Sequence, residues 1–257
     1  MDRRLFVASG AALAACAGRS AGADEFRSLF DGKTLGGWHK NPKPIGHGTG
    51  GRWQVEDGAI AGEQDPPGSG NGGILLTDET FADFELLIDM KPDWGCCSGL
   101  FVRSTDAGQC IQMTVDYHDA GNVGHLYGEG SGGWTVRPFT IDGRLEGGKL
   151  AALTSRPWPQ FKKEDVVSTC TAAEFIKVWK IGDWNTARVR CVGKLPRVTT
   201  WINDLKVCDF DGAAYANAQY DPKNIPERGS IAVQVHGGGG WPNGARVRWK
   251  NVKIKTL

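Results

Sequence analysis

The stretch Cys110–His118, CIQMTVDYH, carries an amide, a hydroxyl, a carboxylate and an imidazole at every second position. Gln112, Thr114, Asp116 and His118 fall on one face at a period of two, with Ile111, Met113, Val115 and Tyr117 on the other. A strand of this pattern buries its apolar face and offers the polar row as the floor of a site. Near the C-terminus Ile231, Val233 and Val235 alternate likewise with Gln234 and His236, and Ser98–Arg103 sets Phe101 and Arg103 opposite Leu100 and Val102. An imidazole is suited to moving a proton near neutral pH, and a guanidinium to holding a developing oxyanion. Two His and one Asp would also make half a shell for a divalent metal ion, although their spacing is not diagnostic and no metal is assigned.

Ordinary retaining glycoside chemistry needs two carboxyl groups about 5–5.5 Å apart. Glu85 and Asp89 share a strand face four residues apart, which separates them by roughly 13 Å. Asp116 and Glu85, on different strands, could still approach each other. The bland alternatives are that each His is a structural residue, that Asp116 closes a turn, and that Arg103 pairs with Glu85 or Asp89 across strands. Trp184 and Trp201 read as core. Trp241, in a glycine-rich loop beside His236, reads as a ligand platform, while His39, His47 and His125 read as solvated loop residues.

The elements that would position these groups are short strands. With 257 residues, 37 Gly, ten Trp and a net charge of +1, the chain has neither the basic excess that nucleic acid demands nor an acidic tail. A neutral small molecule is the expected partner. Hairpins are expected around Asp57-Gly58 and Asn203-Asp204, and strands at Phe84–Met90, Ser98–Arg103, Cys110–His118, Phe175–Ile181, Thr186–Val192, Val198–Ile202, Lys206–Phe210, Gly229–His236 and Ala245–Lys255. The glycine-rich Gly121–Gly133, with Tyr127, lacks a phosphate-cradle ending and reads as a site-edge loop. Ile141–Glu174 breaks the rhythm and reads as an insertion over one rim, with a short helical segment near Ala172. The expectation is an all-β, jelly-roll β-sandwich forming a single domain over residues 24–257.

Residues 1–23 read as a signal segment. Arg3 and Arg4 precede the apolar run Leu5–Ala17, which is shorter than the ~20 residues of a membrane span and twin-arginine-like. Leu13-Ala14-Ala15-Cys16 would make Cys16 a lipid anchor, and Ala21-Gly22-Ala23 would instead release a soluble chain from Asp24. Either way the expectation is an exported, periplasmic or cell-envelope protein with no transmembrane helix. Among the other cysteines, Cys110 and Cys191 read as buried strand residues, disulfide connectivity is not readable, and Cys96-Cys97 lacks the spacing of a zinc site.

Several motifs recur together. Phe26–Trp38 is followed by Trp53-x-Val55-x-Asp57-Gly58, Asp83-Phe84-Glu85-Leu86, Ser98–Arg103, Trp184-Asn185, Trp201-Ile202-Asn203, Ile231-x-Val233-Gln234-x-His236 and Lys250-Asn251-Val252-Lys253-Ile254. In this order, over Phe26–Leu257, they resemble the 3-keto-disaccharide hydrolase domain family. Two features depart from it: Cys97-Ser98-Gly99 stands where the family commonly has Asn-Ser-Gly, and Ile141–Glu174 is absent from short members.

The resemblance implies a concanavalin A-like jelly roll whose concave sheet holds a sugar, and cleavage of glycosides already oxidised at C3. A C3 ketone acidifies the C2 hydrogen, so a base can remove it and the C1 substituent can leave by elimination, with water adding afterwards. On this expectation His118 or His236 is the base and Asp116 orients it. Arg103, Gln112, Gln234, Glu85, Tyr127 and Trp241 bind the sugar, with Arg103 or a divalent cation at the enolate oxygen. The alternatives are a non-catalytic carbohydrate-binding module of the cell envelope and an inert envelope scaffold.

Overall fold

The computed structural model describes residues 25–215 and 220–257. The signal segment, with Arg3, Arg4, Cys16 and both cleavage points, lies outside the described residues. Among those described, no helix is long and apolar enough to cross a membrane.

Two antiparallel sheets pack face to face. The front sheet runs in the order Thr135–Val136, Val123–Tyr127, Ile111–Tyr117, Cys96–Ser104, Gly229–Val235, Gly73–Phe81 and Trp38–Lys40. The back sheet runs Ser168–Thr169, Leu205–Asp211, Arg197–Ile202, Asn185–Val192, Phe84–Pro92, Val247–Thr256, Ala59–Glu63 and Arg52–Glu56, with Arg27–Ser28 also on Val247–Thr256. Ile111, Met113, Val115 and Tyr117 from the front sheet meet Phe84, Leu86, Ile88 and Met90 from the back sheet in one core. Burying each such side chain contributes about 1.5–3 kcal/mol. The result is the expected all-β jelly-roll sandwich. Asp57-Gly58 and Asn203-Asp204 both make the expected two-residue turns, all four residues having positive φ.

The front sheet is covered on its outer face as well. At one end Ile74, Leu76, Phe101, Cys110 and Ala232 form a small second apolar cluster beneath Ile45. Polar residues occupy the rest of that face.

Four features differ from expectation, the first being Gly121–Gly133, read as a site-edge loop, whose Val123–Tyr127 is a largely buried strand of the front sheet paired with Ile111–Tyr117. Phe139–Glu146 and Lys149–Pro157 form a separate two-stranded hairpin, where only a break in strand rhythm was visible. Its tip is exposed on both faces, so no alternation marks it. The helix near Ala172 is present as Ala172–Val178, and it takes in residues expected to start a strand at Phe175. Thr171 and Glu174 close a capping box at its start, and Phe175 is its buried residue. Trp184 and Trp201 are half-buried under cations, Lys250 at 4.1 Å and Arg188 at 4.6 Å from the ring centroids, and do not lie in the core.

Candidate functional site

The strand Ile111–Tyr117 delivers Gln112, Thr114 and Asp116 to the outer face of the front sheet, as its alternation requires. Its neighbour sets Cys97 opposite Asp116, Gly99 opposite Thr114 and Phe101 opposite Gln112. Gln112 donates from Nε2 to Gln234 Oε1 at 3.1 Å, and Gln234 Nε2 lies 3.2 Å from His47 Nε2. A Cβ on Gly99 would stand 2.1 Å from Gln112 Nε2, so only glycine lets this amide lie across the strand. Thr114 donates to Asn122 Oδ1 at 3.1 Å. This network floors a chamber of about 400 Å³, walled by Cys97, Asp116, Tyr127, Glu129, Arg137, His47 and His236.

Asp116 is the electrostatic centre of the chamber. Burial pushes its pKa up, opposed by the Arg137 guanidinium, the Cys97 thiol and the imidazoles of His118 and His236. Arg137 Nη2 lies 3.6 Å from Asp116 Oδ2, and the Cys97 thiol donates to Oδ1 at 3.3 Å. Burial, reinforced by Asp116, pushes the Cys97 thiol up and keeps it protonated near neutral pH. Burial also raises the Tyr127 hydroxyl pKa, with Glu129 adding to the effect. Arg137 immediately precedes the extra hairpin, and its guanidinium lies 5.1 Å from the ring centroid of Trp158, which follows it. The hairpin stem therefore brackets the cation over Asp116.

Each imidazole is oriented by a backbone carbonyl. His236 Nδ1 lies 2.6 Å from Gly237 O, and His118 Nδ1 lies 2.8 Å from Asp119 O. A carbonyl only accepts, so each Nδ1 bears a proton, and in the neutral ring the lone pair is at Nε2. The expectation that Asp116 holds a His in place is thereby corrected. The backbone of His236 donates to Cys97 O at 3.1 Å, and Gln64 Nε2 donates to the carbonyls of His236 and Gly238 at 3.2 and 2.9 Å. These bonds pin the loop.

Beyond Cys97 and His236, which line both spaces, a second cleft of about 570 Å³ opens between Trp94, Trp241 and Pro242, with His118 and Asp119 at its side. Trp241 donates from Nε1 to Ala245 O at 2.8 Å, and Trp94 stands edge-on to Tyr117 with centroids 4.9 Å apart. Among the described residues Cys97, Asp116 and His118 offer ligand atoms within 4.8 Å of one another, a set able to hold a divalent cation. The fit is partial, because the thiol would first have to lose its firmly held proton.

The fold brings Asp116, His118, His236, Gln112, Gln234, Tyr127 and Trp241 around these adjoining spaces. Arg103 and Glu85 are elsewhere. Arg103 adopts φ 55, which breaks the alternation that would have faced it outward. Its guanidinium binds Ala82 O, Gly193 O and Asp83 Oδ1, each at 2.8 Å, roughly 20 Å along the strand from Cys97. Glu85 lies on the far face of the back sheet, 2.7 Å from Arg188. His47 is buried, 4.8 Å centroid to centroid from His236 and 3.5 Å from Glu129. His125 is also buried, edge-on to Phe139, and burial together with Arg137 drives its pKa down to about 3. Neither is a solvated loop residue. Arg137, Glu129 and Trp94 come from loops or short edge strands with no periodicity, and Cys97 is marked only by its register opposite Asp116.

The chain is similar to known proteins. The sequence profile of the 3-keto-alpha-glucoside-1,2-lyase-like domain matches residues 25–255. A 3-keto-disaccharide hydrolase of Bacteroides thetaiotaomicron is 35% identical over 85 residues, 31% of this chain and 27% of that protein. The E3 ubiquitin-protein ligase mind-bomb of Drosophila melanogaster is 30% identical over 148 residues, 55% of this chain but 11% of that protein. The chain thus spans less than a third of either curated relative. Among solved structures, a candidate glycosyl hydrolase from Parabacteroides distasonis superposes with a TM-score of 0.53 at 19% identity, over 91% of this chain and 95% of that one. That likeness is one of fold.

Proposed function

The chain belongs to the 3-keto-alpha-glucoside-1,2-lyase-like domain family, and on that premise we propose that it cleaves 3-keto-glycosides by proton abstraction at C2 and loss of the C1 substituent. Family membership makes it a glycoside-hydrolase-like, carbohydrate-active protein. The keto substrate and the route are our reading of the site.

The observation that supports this reading most is the pair of imidazoles, His236 at the wall shared by two spaces and His118 beside it in the cleft, each with Nδ1 on a carbonyl, next to a chamber holding Arg137 over a half-buried carboxylate. The sugar occupies the chamber, with its hydroxyls on Gln112, Thr114, Tyr127 and Glu129. His236, which borders both spaces, takes the C2 proton at Nε2, and the C–H electron pair forms the C2–C3 bond of an enolate. Arg137 stabilises the enolate oxygen, the role expected of Arg103. The enolate then collapses to a C1–C2 double bond as the C1–O bond breaks, and the proton taken up at His236 Nε2 passes to the departing oxygen, with His118 beside it on the cleft side. Adding water across the double bond, hydroxyl at C1 and proton at C2, completes net hydrolysis. The same reading includes export, carried by Arg3-Arg4 and the apolar run after them.

A second reading has a specific observation behind it. Asp116 and Glu129 line one chamber, so a conventional two-carboxylate hydrolysis would draw on this pair, with Glu129 taking the part expected of Glu85. Incubation with 3-keto-trehalose and with trehalose separates the outcomes. Release of glucose from the keto sugar only supports the elimination route, release from both supports the carboxylate pair, and binding without release leaves a sugar-binding module.

A further inference from the structure

The two spaces differ in the chemistry they offer, and we infer that the cleft is a leaving-group site for an apolar, aromatic aglycone and not for a second sugar. This rests on the reading of the chamber as the keto-sugar site.

A pyranose presents hydroxyls around its ring, and a site that selects it needs donors and acceptors that can meet them. The chamber has them in Gln112, Thr114, Tyr127, Glu129 and Arg137. Among the described residues, the cleft wall contains no Ser, Thr, Asn, Gln, Lys or Arg. Its polar atoms are largely committed: Trp241 Nε1 to Ala245 O, His118 Nδ1 and His236 Nδ1 to carbonyls, and Asp119 Oδ1 accepting from Gly143 N at 2.9 Å. The imidazole Nε2 atoms are reserved for the reacting bond. A sugar moving from water into such a cleft would lose hydrogen bonds that the walls do not replace.

The apolar surfaces are rigid. Trp94 is braced on Tyr117, Trp241 by its indole hydrogen bond, and Pro242 packs so closely on Gly95 that a Cβ there would lie 2.3 Å from its ring. Walls already fixed lose little freedom when a flat ring enters between them. Because Cys97 and His236 line both spaces, a glycosidic oxygen at that shared wall leaves its sugar in the chamber and its aglycone among the tryptophans.

The test compares methyl and 2-phenylethyl 3-keto-glucosides, whose alcohols have nearly equal acidity, so that leaving-group strength does not set the rates. The 2-phenylethyl substrate should have a kcat/KM at least about tenfold higher, the scale on which apolar pockets discriminate. The ratio should collapse in Trp94→Ala and shrink in the milder Trp241→Phe, whereas a folding defect would lower both rates and leave the ratio intact. Calorimetry with 2-phenylethanol supplies a readout independent of turnover, with binding to the wild type and weakened binding to Trp94→Ala. Equal rates on both substrates without 2-phenylethanol binding overturn the aglycone site and leave the activity standing. Binding of 2-phenylethanol with no release from either substrate overturns the activity and leaves the cleft as an aromatic site. Preference for a 3-keto-glucosyl-(1→6)-glucose, which also leaves through a primary alcohol, over the 2-phenylethyl substrate would assign the cleft to a sugar.

Discussion

The chamber and the cleft share Cys97 and His236 yet are built by opposite means. The chamber floor is strand, its polar side chains delivered by the register of Cys96–Ser104, Ile111–Tyr117 and Gly229–Val235 and locked to one another through Gln112, Gln234 and His47. The cleft is mostly loop, its walls set by Trp94, Trp241 and Pro242 and by hydrogen bonds from backbone to backbone and from indole to backbone. A locked polar floor selects a constant group and performs chemistry on it, and loop walls can vary in what they admit beyond it. Disturbing the shared wall should therefore damage every substrate, and disturbing one space should not mimic disturbing the other.

The largest effect is expected at the shared wall. His236→Gln keeps a polar side chain but removes the base, and should lower kcat/KM by about 10²–10⁴ on every 3-keto-glycoside, with the melting temperature close to wild type. A loss below tenfold, with the fold intact, would move the base to another residue. Next comes the cation. Arg137→Met should cost about 10²–10³ in kcat, as the loss of an oxyanion donor does. Arg103→Met makes the opposite control, since Arg103 holds Ala82, Gly193 and Asp83 together at a buried strand end. It should cost about 3 kcal/mol or more in unfolding free energy and leave kcat/KM near wild type once folded. If the two variants exchange these signatures, the assignment of the two arginines is reversed.

A smaller, steric effect tests the floor. Gly99→Ala would drive a methyl group into the Gln112 amide, 2.1 Å from Nε2. Overpacking of that kind costs about 1–3 kcal/mol. The displaced amide should raise KM for the sugar while leaving the affinity of the cleft for 2-phenylethanol unchanged. Equal weakening at both spaces would show them to be one site.

The same contrast explains what was legible in the sequence. Alternation in CIQMTVDYH and in Ile231–His236 revealed the chamber floor, because a strand buried on one face must alternate. Arg103 misled for a local reason, a positive φ that no residue pattern announces. Glu85 misled because alternation says which residues share a face but not which side of the sandwich that face is on. His47, Glu129 and Arg137 come from segments whose place is decided by tertiary packing, and Arg137 in particular by a hairpin whose exposed tip shows no periodicity. The Thr171-x-x-Glu174 capping box was a readable signal for the helix that replaces an expected strand.

The smallest effect concerns the stability the chamber gives up. Burial is the largest influence on Asp116 and raises its pKa above the ordinary 3.8, outweighing Arg137, Cys97 and both imidazoles. A carboxyl whose folded pKa lies above its unfolded value stabilises the protein fully below the unfolded pKa, and that contribution is lost as pH rises through the folded value. Ionised Asp116 is thus a net cost near neutral pH, even beside Arg137. Asp116→Asn, a neutral isostere, should match wild-type stability in acid and exceed it at pH 7–8. At about 2–4 °C per kcal/mol for a domain of this size the gain should be a few degrees in Tm. Thermal melts of both proteins from acid to pH 8 check the sign. A variant less stable than wild type at pH 7–8, with the gap closing toward acid, would mean that the Arg137 pair outweighs burial, and that the chamber, like the strand end at Arg103, is stabilised by its charge.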